Sequence, residues 1–600
     1  MIKKISSASF SLKLIISIII GGLFLSINSN AQEMDKMWGE RDQKVKIDQT
    51  ISIKGKRFRE GKYAMFVHWG LYSHFANKWD GKTYYGIGEW MMNENMANLT
   101  TEKYVPVAKE FNPIDFDAKK LVQLAKDAGM KYIIITAKHH DGFAMYDSKV
   151  SDFNIVKATP FKRDPMKELS KACADAGLGF GFYYSHNQDW TTPYGTVYGK
   201  NDGLDPTSYE SYFRNKCLPQ VEEITRNYGP IELVWFDTPG NMKKEFVEEL
   251  VAVVRKNQPN AFVSGRAGHD LGDYNTLGDM EIPVENEEGL WETVDVTNDA
   301  WGYAWYDENW KSPNEILERL ISTVARGGTY MLNVGPNGKG TVPQPAQKSL
   351  QAAGEWLKRY PQVVYNGEGS PWRHALPWGD VIQQGSKLYL CVYEWPATGK
   401  LYLPGLKNKI EKSRLLKGGQ SEKLKTVQNG GWTVVHIPYE RADKLVSVIE
   451  LDLDGKANVN PVLGLDPGMM TELTTDFASA QQSKQYKKGW MEKFGEWKHI
   501  NQITEWENNG SAIWKVEVLK PGYYQVDLSY SGAGKVVWRV EHNEGVQIQN
   551  QQNSSAIYAK HPIGWMNFEK AGIYDIKVSL VEGKRKEASL NGISFTPIIF

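Results

Sequence analysis

Between about residues 55 and 355, short apolar runs alternate with stretches in which apolar positions recur at helical spacing. The runs are Tyr63–Val67, Tyr132–Thr136, Gly179–Tyr184, Ile231–Phe236, Ala261–Ser264 and Thr329–Asn333, and each predicts a buried strand. Between them, Asp117 to Ala128 carries Leu121, Val122, Leu124, Ala125 and Ala128 on one helical face. Two helices end alike, in Lys126-Asp-Ala-Gly129 and Ala174-Asp-Ala-Gly177, where glycine supplies a left-handed cap. Ser312-Pro-Asn-Glu315 predicts a capping box with Pro in the first turn. Repeated strand–helix units over this length predict an α/β domain with a parallel sheet, closed as a (β/α)8-like barrel. An open doubly wound sheet ranks second, and its nucleotide-binding forms lose support. No Gly-x-Gly-x-x-Gly follows the first strand, and no phosphate-loop motif occurs anywhere.

After about Gln362 the pattern changes. Val381 to Glu394, Gly399 to Leu403, Ser413 to Leu416, Gly431 to Pro438 and Lys444 to Asp452 read as short strands of a compact antiparallel β-domain. Gly455 to Gly468 reads as a linker. Beyond it, Ala512–Leu519 and Tyr523–Tyr530 flank Lys520-Pro-Gly522 as a hairpin, and further alternating runs predict a second sandwich. The expected organisation is a barrel over 36–361, a β-sandwich over 362–454, a linker over 455–468 and a carboxy-terminal β-sandwich over 469–600.

Met1-Ile-Lys-Lys4, an apolar stretch from Leu14 to Ile27 and Ser29-Asn30-Ala31 have the make-up of a secretory signal peptide over 1–31. The protein is therefore expected in the periplasm or outside the cell. That run is too short to cross a bilayer comfortably and no second one follows, so no membrane span is expected. Lys+Arg and Asp+Glu number 71 each, with no block of like charge, which argues against a nucleic-acid partner. Cys173, Cys217 and Cys391 are far apart and odd in number, which excludes a disulfide framework. The chain holds 21 Trp, 30 Tyr and 21 Phe, a surplus of rings of the kind that stack on sugar faces.

In a barrel, reactive groups collect at the carboxy-terminal strand ends. The expected strands end in His68-Trp69-Gly70, Lys138-His139-His140-Asp141-Gly142, Tyr183-Tyr184-Ser185-His186, Trp235-Phe236-Asp237 and Gly265-Arg266. Four of the eleven histidines thus share one rim with an aspartate and an arginine. A metal site is one reading, but His139 and His140 would diverge within a strand, and neither His-x-His nor His-Glu-x-x-His occurs. Glycoside hydrolysis is the favoured reading, with two carboxylates across a sugar and His, Arg and Trp gripping it. Trp69, Trp90, Trp235 and Trp291, each beside polar residues, point the same way. No metal and no cofactor is expected. A metal-dependent hydrolase and a non-catalytic glycan-binding protein are the alternatives.

Phe66-Val67-His68-Trp69-Gly70, Gly88-Glu89-Trp90, Ala137-Lys138-His139-His140-Asp141-Gly142-Phe143, Tyr183-Tyr184-Ser185, Val234-Trp235-Phe236-Asp237 and Leu332-Asn333-Val334-Gly335-Pro336 resemble glycoside hydrolase family 29, the retaining α-L-fucosidases. The resemblance runs from about Trp38 to Asp454 and implies exo-acting hydrolysis of terminal α-L-fucose on a fucosylated oligosaccharide or polysaccharide. It matches Asp237 to the nucleophile, and His68, Glu89, Trp90, His139, His140 and Arg266 to groups that grip the sugar. Trp235 would shape the subsite, and Tyr184 is taken over Tyr183 as the ring contact. The acid/base is expected at Glu281, 15 residues after Arg266, with Asp279, Glu285, Glu287, Glu288 and Glu292 as the other candidates. In the carboxy-terminal region, which more loosely resembles jelly-roll carbohydrate-binding modules, Trp506 and Trp565 lie in loop-like contexts that suit sugar stacking, with a purely structural appendage as the equal alternative.

Overall fold

The computed structural model describes residues 54–192, 206–240, 242–493 and 496–598; the predicted signal peptide lies outside them. Eight strands form one parallel sheet: β1 (Tyr63–Val67), β2 (Tyr132–Lys138), β3 (Gly179–Ser185), β4 (Leu233–Asp237), β5 (Phe262–Val263), β6 (Asn275–Thr276), β7 (Trp291–Val296) and β8 (Thr329–Val334). Their order is β5-β4-β3-β2-β1-β8-β7-β6, so the chain winds around a barrel. Phe66, Ile134, Tyr183, Trp235, Val294 and Met331 fill the inside, while Met65, Ile133, Ile135, Phe182 and Val234 face the helices. The expected helix caps are present: Asp117 caps Ala118–Asp127, Gly177 takes a left-handed φ of 74° after Pro165–Ala176, and Ser312 and Glu315 form the capping box.

Two strands escaped the sequence pattern. β6 has only two residues, and β7, Trp-Glu-Thr-Val-Asp-Val, carries two acids that read as loop although all six residues are buried. Each acid is held by several partners. Glu292 accepts from Trp235 Nε1 at 2.5 Å, Tyr274 at 2.9 Å and Thr276 at 3.1 Å. Asp295 accepts from Arg319 and Tyr330 and pairs with Lys311.

Among the described residues no ladder joins β5 to β6. The seam is bridged instead by Asp273, whose N–H donates to Val263 O at 2.8 Å and whose Oδ2 accepts the Val263 N–H at 2.7 Å. Lys54 and Arg255 pair with its other oxygen. Gly265 and Gly272 permit this approach: a Cβ on either would fall 2.5 Å or less from a carbonyl oxygen across the seam.

Behind the barrel, Gly379–Gln384, Lys387–Val392, Ser447–Leu453, Ile410–Leu416 and Ser421–Lys423 make one antiparallel sheet, and Lys400–Pro404, Trp432–His436 and Lys425–Asn429 another. Two six-stranded sheets follow, packed around Trp514, Trp538, Phe568 and Phe595. The expected linker is structured at its end, since Leu463–Leu465 pairs in parallel with Val516–Val518. No helix among the described residues is long and apolar enough to cross a membrane.

Candidate active site

Strand parity decides which rim residues face inward. On β1, Ala64 and Phe66 point into the barrel, and His68 continues that face. On β4, Leu233 and Trp235 do the same, which brings Asp237 to the mouth. On β3 the inward residue is Tyr183, and it donates to Asp237 Oδ2 at 2.9 Å. Tyr184, expected as the sugar contact, is turned to the helical side, where it donates to Gln220 Oε1 at 2.8 Å. Two adjacent aromatic residues leave the parity ambiguous in the sequence, and the pairing of β3 with β4 resolves it against that expectation.

A register shift between Thr136 and Lys138 resets the parity of β2 before its end. Lys138 is thereby directed outward into a buried pair with Asp189. His139 and His140 follow the end of the strand, so they converge rather than diverge, with ring centroids 4.1 Å apart. His139 stacks on Tyr183. His140 Nε2 stands 3.8 Å from Asp237 Oδ2. Trp90 and Trp190 pack edge-on to each other beside the His140 ring.

Asp237 and Asp279 both bind Arg266, the first from Nη1 at 3.2 Å and the second from Nη2. All three side chains are buried. Burial works against the Arg266 charge, but Asp279 and Asp237 outweigh it and raise its pKa. Burial pushes Asp279 up to about 6, against the opposing pull of Arg266, and the Asp237 charge adds to the rise. Glu89, held by the Gly302 N–H at 2.8 Å, is pushed up to about 8, again mainly by burial. Glu281 turns back on its own loop, accepting the Gly278 N–H at 3.1 Å. Met280 between the two acids takes a φ of 63°, and this reversal separates their directions.

Several sequence expectations need correction. Trp69 is core: it stacks on Phe116 at 4.9 Å and is fully buried. Trp235 lies beneath the mouth, between Tyr183 and the Arg266 guanidinium, and Trp291 is buried at the start of β7, packed against Gly328 at the far end of the strand from the mouth. Glu292 belongs to the barrel interior, not to a loop face. Trp506 is buried against Trp538 in the carboxy-terminal core, whereas Trp565 is 64% exposed. Tyr183, Ser185, Trp190, Trp301 and Asn333 complete the site. Tyr183, Ser185 and Asn333 lay within quoted motifs, while Trp190 and Trp301 sit on loops with no periodic signal. Among the described residues, no three His, Cys, Asp or Glu side chains are grouped as metal ligands.

Two buried carboxyls joined by an arginine and ringed by imidazoles and indoles, at the carboxy-terminal mouth of a barrel, make a glycoside hydrolase site. The family profile described as alpha-L-fucosidase matches residues 30–362, more than half of the chain, and the protein belongs to that family. It is 28% identical over 370 residues to tissue alpha-L-fucosidase of Rattus norvegicus, covering 58% of this chain and 78% of the rat protein. It is also 28% identical over 389 residues to alpha-L-fucosidase of Dictyostelium discoideum, covering 60% and 82%. The crystal structure of alpha-L-fucosidase from Vibrio sp. strain EJY3 is 29% identical, with a TM-score of 0.75 over 92% of this chain and 98% of that one.

Proposed function

We propose that the protein removes terminal α-L-fucose from fucosylated oligosaccharides or polysaccharides by a retaining double displacement. The observation that carries this reading is the buried Asp237–Arg266–Asp279 bridge. Asp237 is the nucleophile: its carboxylate attacks the anomeric carbon as the bond to the leaving oxygen breaks, giving a fucosyl ester. Asp279, rather than Glu281, is the proton donor to that oxygen. It stands beside Asp237, and its raised pKa keeps part of it protonated near neutrality. Forming the ester removes the Asp237 charge that helps raise Asp279, so the acid is relaxed toward a base that deprotonates the incoming water. Two carboxyls on the two outer nitrogens of one guanidinium fit the separation of about 5 to 5.5 Å that retention requires.

A site walled by Trp90, Trp190 and Trp301 suits a single terminal sugar, which supports exo action. Export through the amino-terminal segment rests on its sequence pattern alone. The test is the anomer released first from an aryl α-L-fucoside, read by proton NMR: α-L-fucose is expected, and initial β-L-fucose would overturn the retaining mechanism. Activity that survives prolonged chelation sets aside a metal-dependent hydrolase. A panel of defined fucosyl linkages with product analysis identifies the natural glycan.

A further inference from the structure

The rim histidines differ in how their second nitrogens are held, and this decides what each can offer a sugar. Asn333 Oδ1 lies 2.8 Å from His68 Nδ1 and also accepts the His68 backbone N–H at 3.0 Å, while Asn333 Nδ2 donates to Trp301 O at 2.8 Å. Turning the amide over would set its NH2 against a backbone N–H and its oxygen against a carbonyl. Oδ1 is therefore the acceptor, and Nδ1 of His68 carries the hydrogen. At His140 the partner of Nδ1 is Ser185. Its single hydroxyl hydrogen goes to Gln188 O at 3.0 Å, a carbonyl that can only accept. Ser185 Oγ thus accepts from His140 Nδ1 at 2.6 Å. A neutral imidazole protonated at Nδ1 presents a bare lone pair at Nε2. His140 Nε2, 3.8 Å from Asp237 Oδ2, is beyond hydrogen-bond reach of that oxygen. His139 has no such partner, and its Nδ1 is buried without a hydrogen bond.

The geometry points to Asn333 and Ser185 as positioning residues that set the tautomers of His68 and His140, so that both imidazoles accept and the bound fucose must donate a hydroxyl hydrogen to each. This rests on the fucosidase reading above and specifies the polarity of its sugar contacts. Burial holds both rings neutral, His68 down to about 4 and His140 well below its ordinary value. A lone pair buried without a donor is costly, so a sugar that fills the space but cannot donate is rejected like one lacking the group. Fluorine is such a substituent: it can weakly accept and cannot donate.

The experiment measures binding of L-fucose and its monodeoxy and monodeoxyfluoro analogues to the full chain by calorimetry, one ring hydroxyl at a time, with aryl α-L-fucoside hydrolysis followed alongside. At two hydroxyl positions the deoxy and deoxyfluoro sugars should weaken by the same factor, about tenfold, the worth of one buried hydrogen bond. In Asn333→Asp a carboxylate against Nδ1 favours the imidazolium, whose Nε2–H donates. At one of the two positions the fluoro analogue should then bind several-fold tighter than the deoxy analogue. Ser185→Ala, which frees His140 to move its hydrogen to Nε2, should do the same at the other. A merely structural role would weaken all analogues alike and leave their ratio unchanged, which counts against the inference. Fluoro analogues that outbind deoxy ones at every position in the wild type would overturn it while fucoside hydrolysis, and with it the functional reading, stands. Absence of both fucose binding and hydrolysis would overturn the two together.

Discussion

Asp237 and Asp279 are held by the two outer nitrogens of a single guanidinium, that of Arg266. One cation therefore serves both the proposed nucleophile, which must stay ionised, and the proposed acid, which must carry a proton. Each role is separable by substitution.

Asp237→Gly should lower kcat for an aryl α-L-fucoside by about 10⁴-fold or more, since loss of a covalent nucleophile leaves only binding and electrostatic assistance. Azide should restore turnover and yield β-fucosyl azide. Full activity without azide would remove Asp237 from the role.

Asp279→Asn should cost about 10²- to 10⁴-fold on a fucosyl disaccharide and much less on an activated aryl fucoside, whose leaving group needs little protonation. Because burial sets the Asp279 pKa at about 6, kcat/KM for the disaccharide should decline above that pH as the acid ionises. The variant should lose that limb. Equal damage to both substrates would move the role to another acid, Glu281 or Glu89 first.

Tyr183 and Tyr184 offer a paired comparison. Tyr183→Phe removes a donor from Asp237 and should lower kcat with little change in Tm. Tyr184→Phe removes the bond to Gln220 on the helical side and should cost about 1 kcal/mol of stability with kinetics unchanged. The reverse pattern would mean the parity is misread.

Glu89 carries a pH signature. Its folded-state pKa of about 8 lies above the ordinary carboxyl value, so the protonated form favours folding, and this contribution is lost as pH rises through about 8. Glu89→Gln cannot ionise, so its Tm should gain on that of the wild type as pH is raised from neutral to about 9. Parallel Tm curves would show that the buried carboxyl is not protonated at neutral pH.

The two carboxy-terminal tryptophans should separate cleanly in thermal melts. Trp506→Ala empties a core position and should cost about 3 to 5 kcal/mol. Trp565→Ala, at an exposed site, should stay within about 0.5 kcal/mol. A large loss at Trp565 would mean its ring is packed.

The barrel was readable because apolar runs followed by His, Asp or Arg mark buried strands that end at a mouth. β7 was not, because Glu292 and Asp295 break the apolar run and only their three-dimensional partners explain how acids sit in a buried strand. The rim chemistry was readable as residue types but not as directions. Direction at Tyr183 and Tyr184 hangs on strand pairing, and at His139 and His140 on a register shift that no periodicity reports. The choice between Asp279 and Glu281 turned on one left-handed residue, Met280, whose conformation is unusual for its type.

The seam at Asp273 lies between the two acids proposed to do the chemistry. Asp237 stands on β4, which is laddered to both neighbours, while Asp279 follows β6, beyond the gap that Asp273 spans. The proposed nucleophile, whose step is the same for every fucoside, is thus anchored in continuous sheet. The proposed acid/base lies across that gap, tied back by Arg266, which binds Asp279 and donates to Leu277 O, so loop changes there could retune leaving-group preference while Asp237 stays on its continuous sheet.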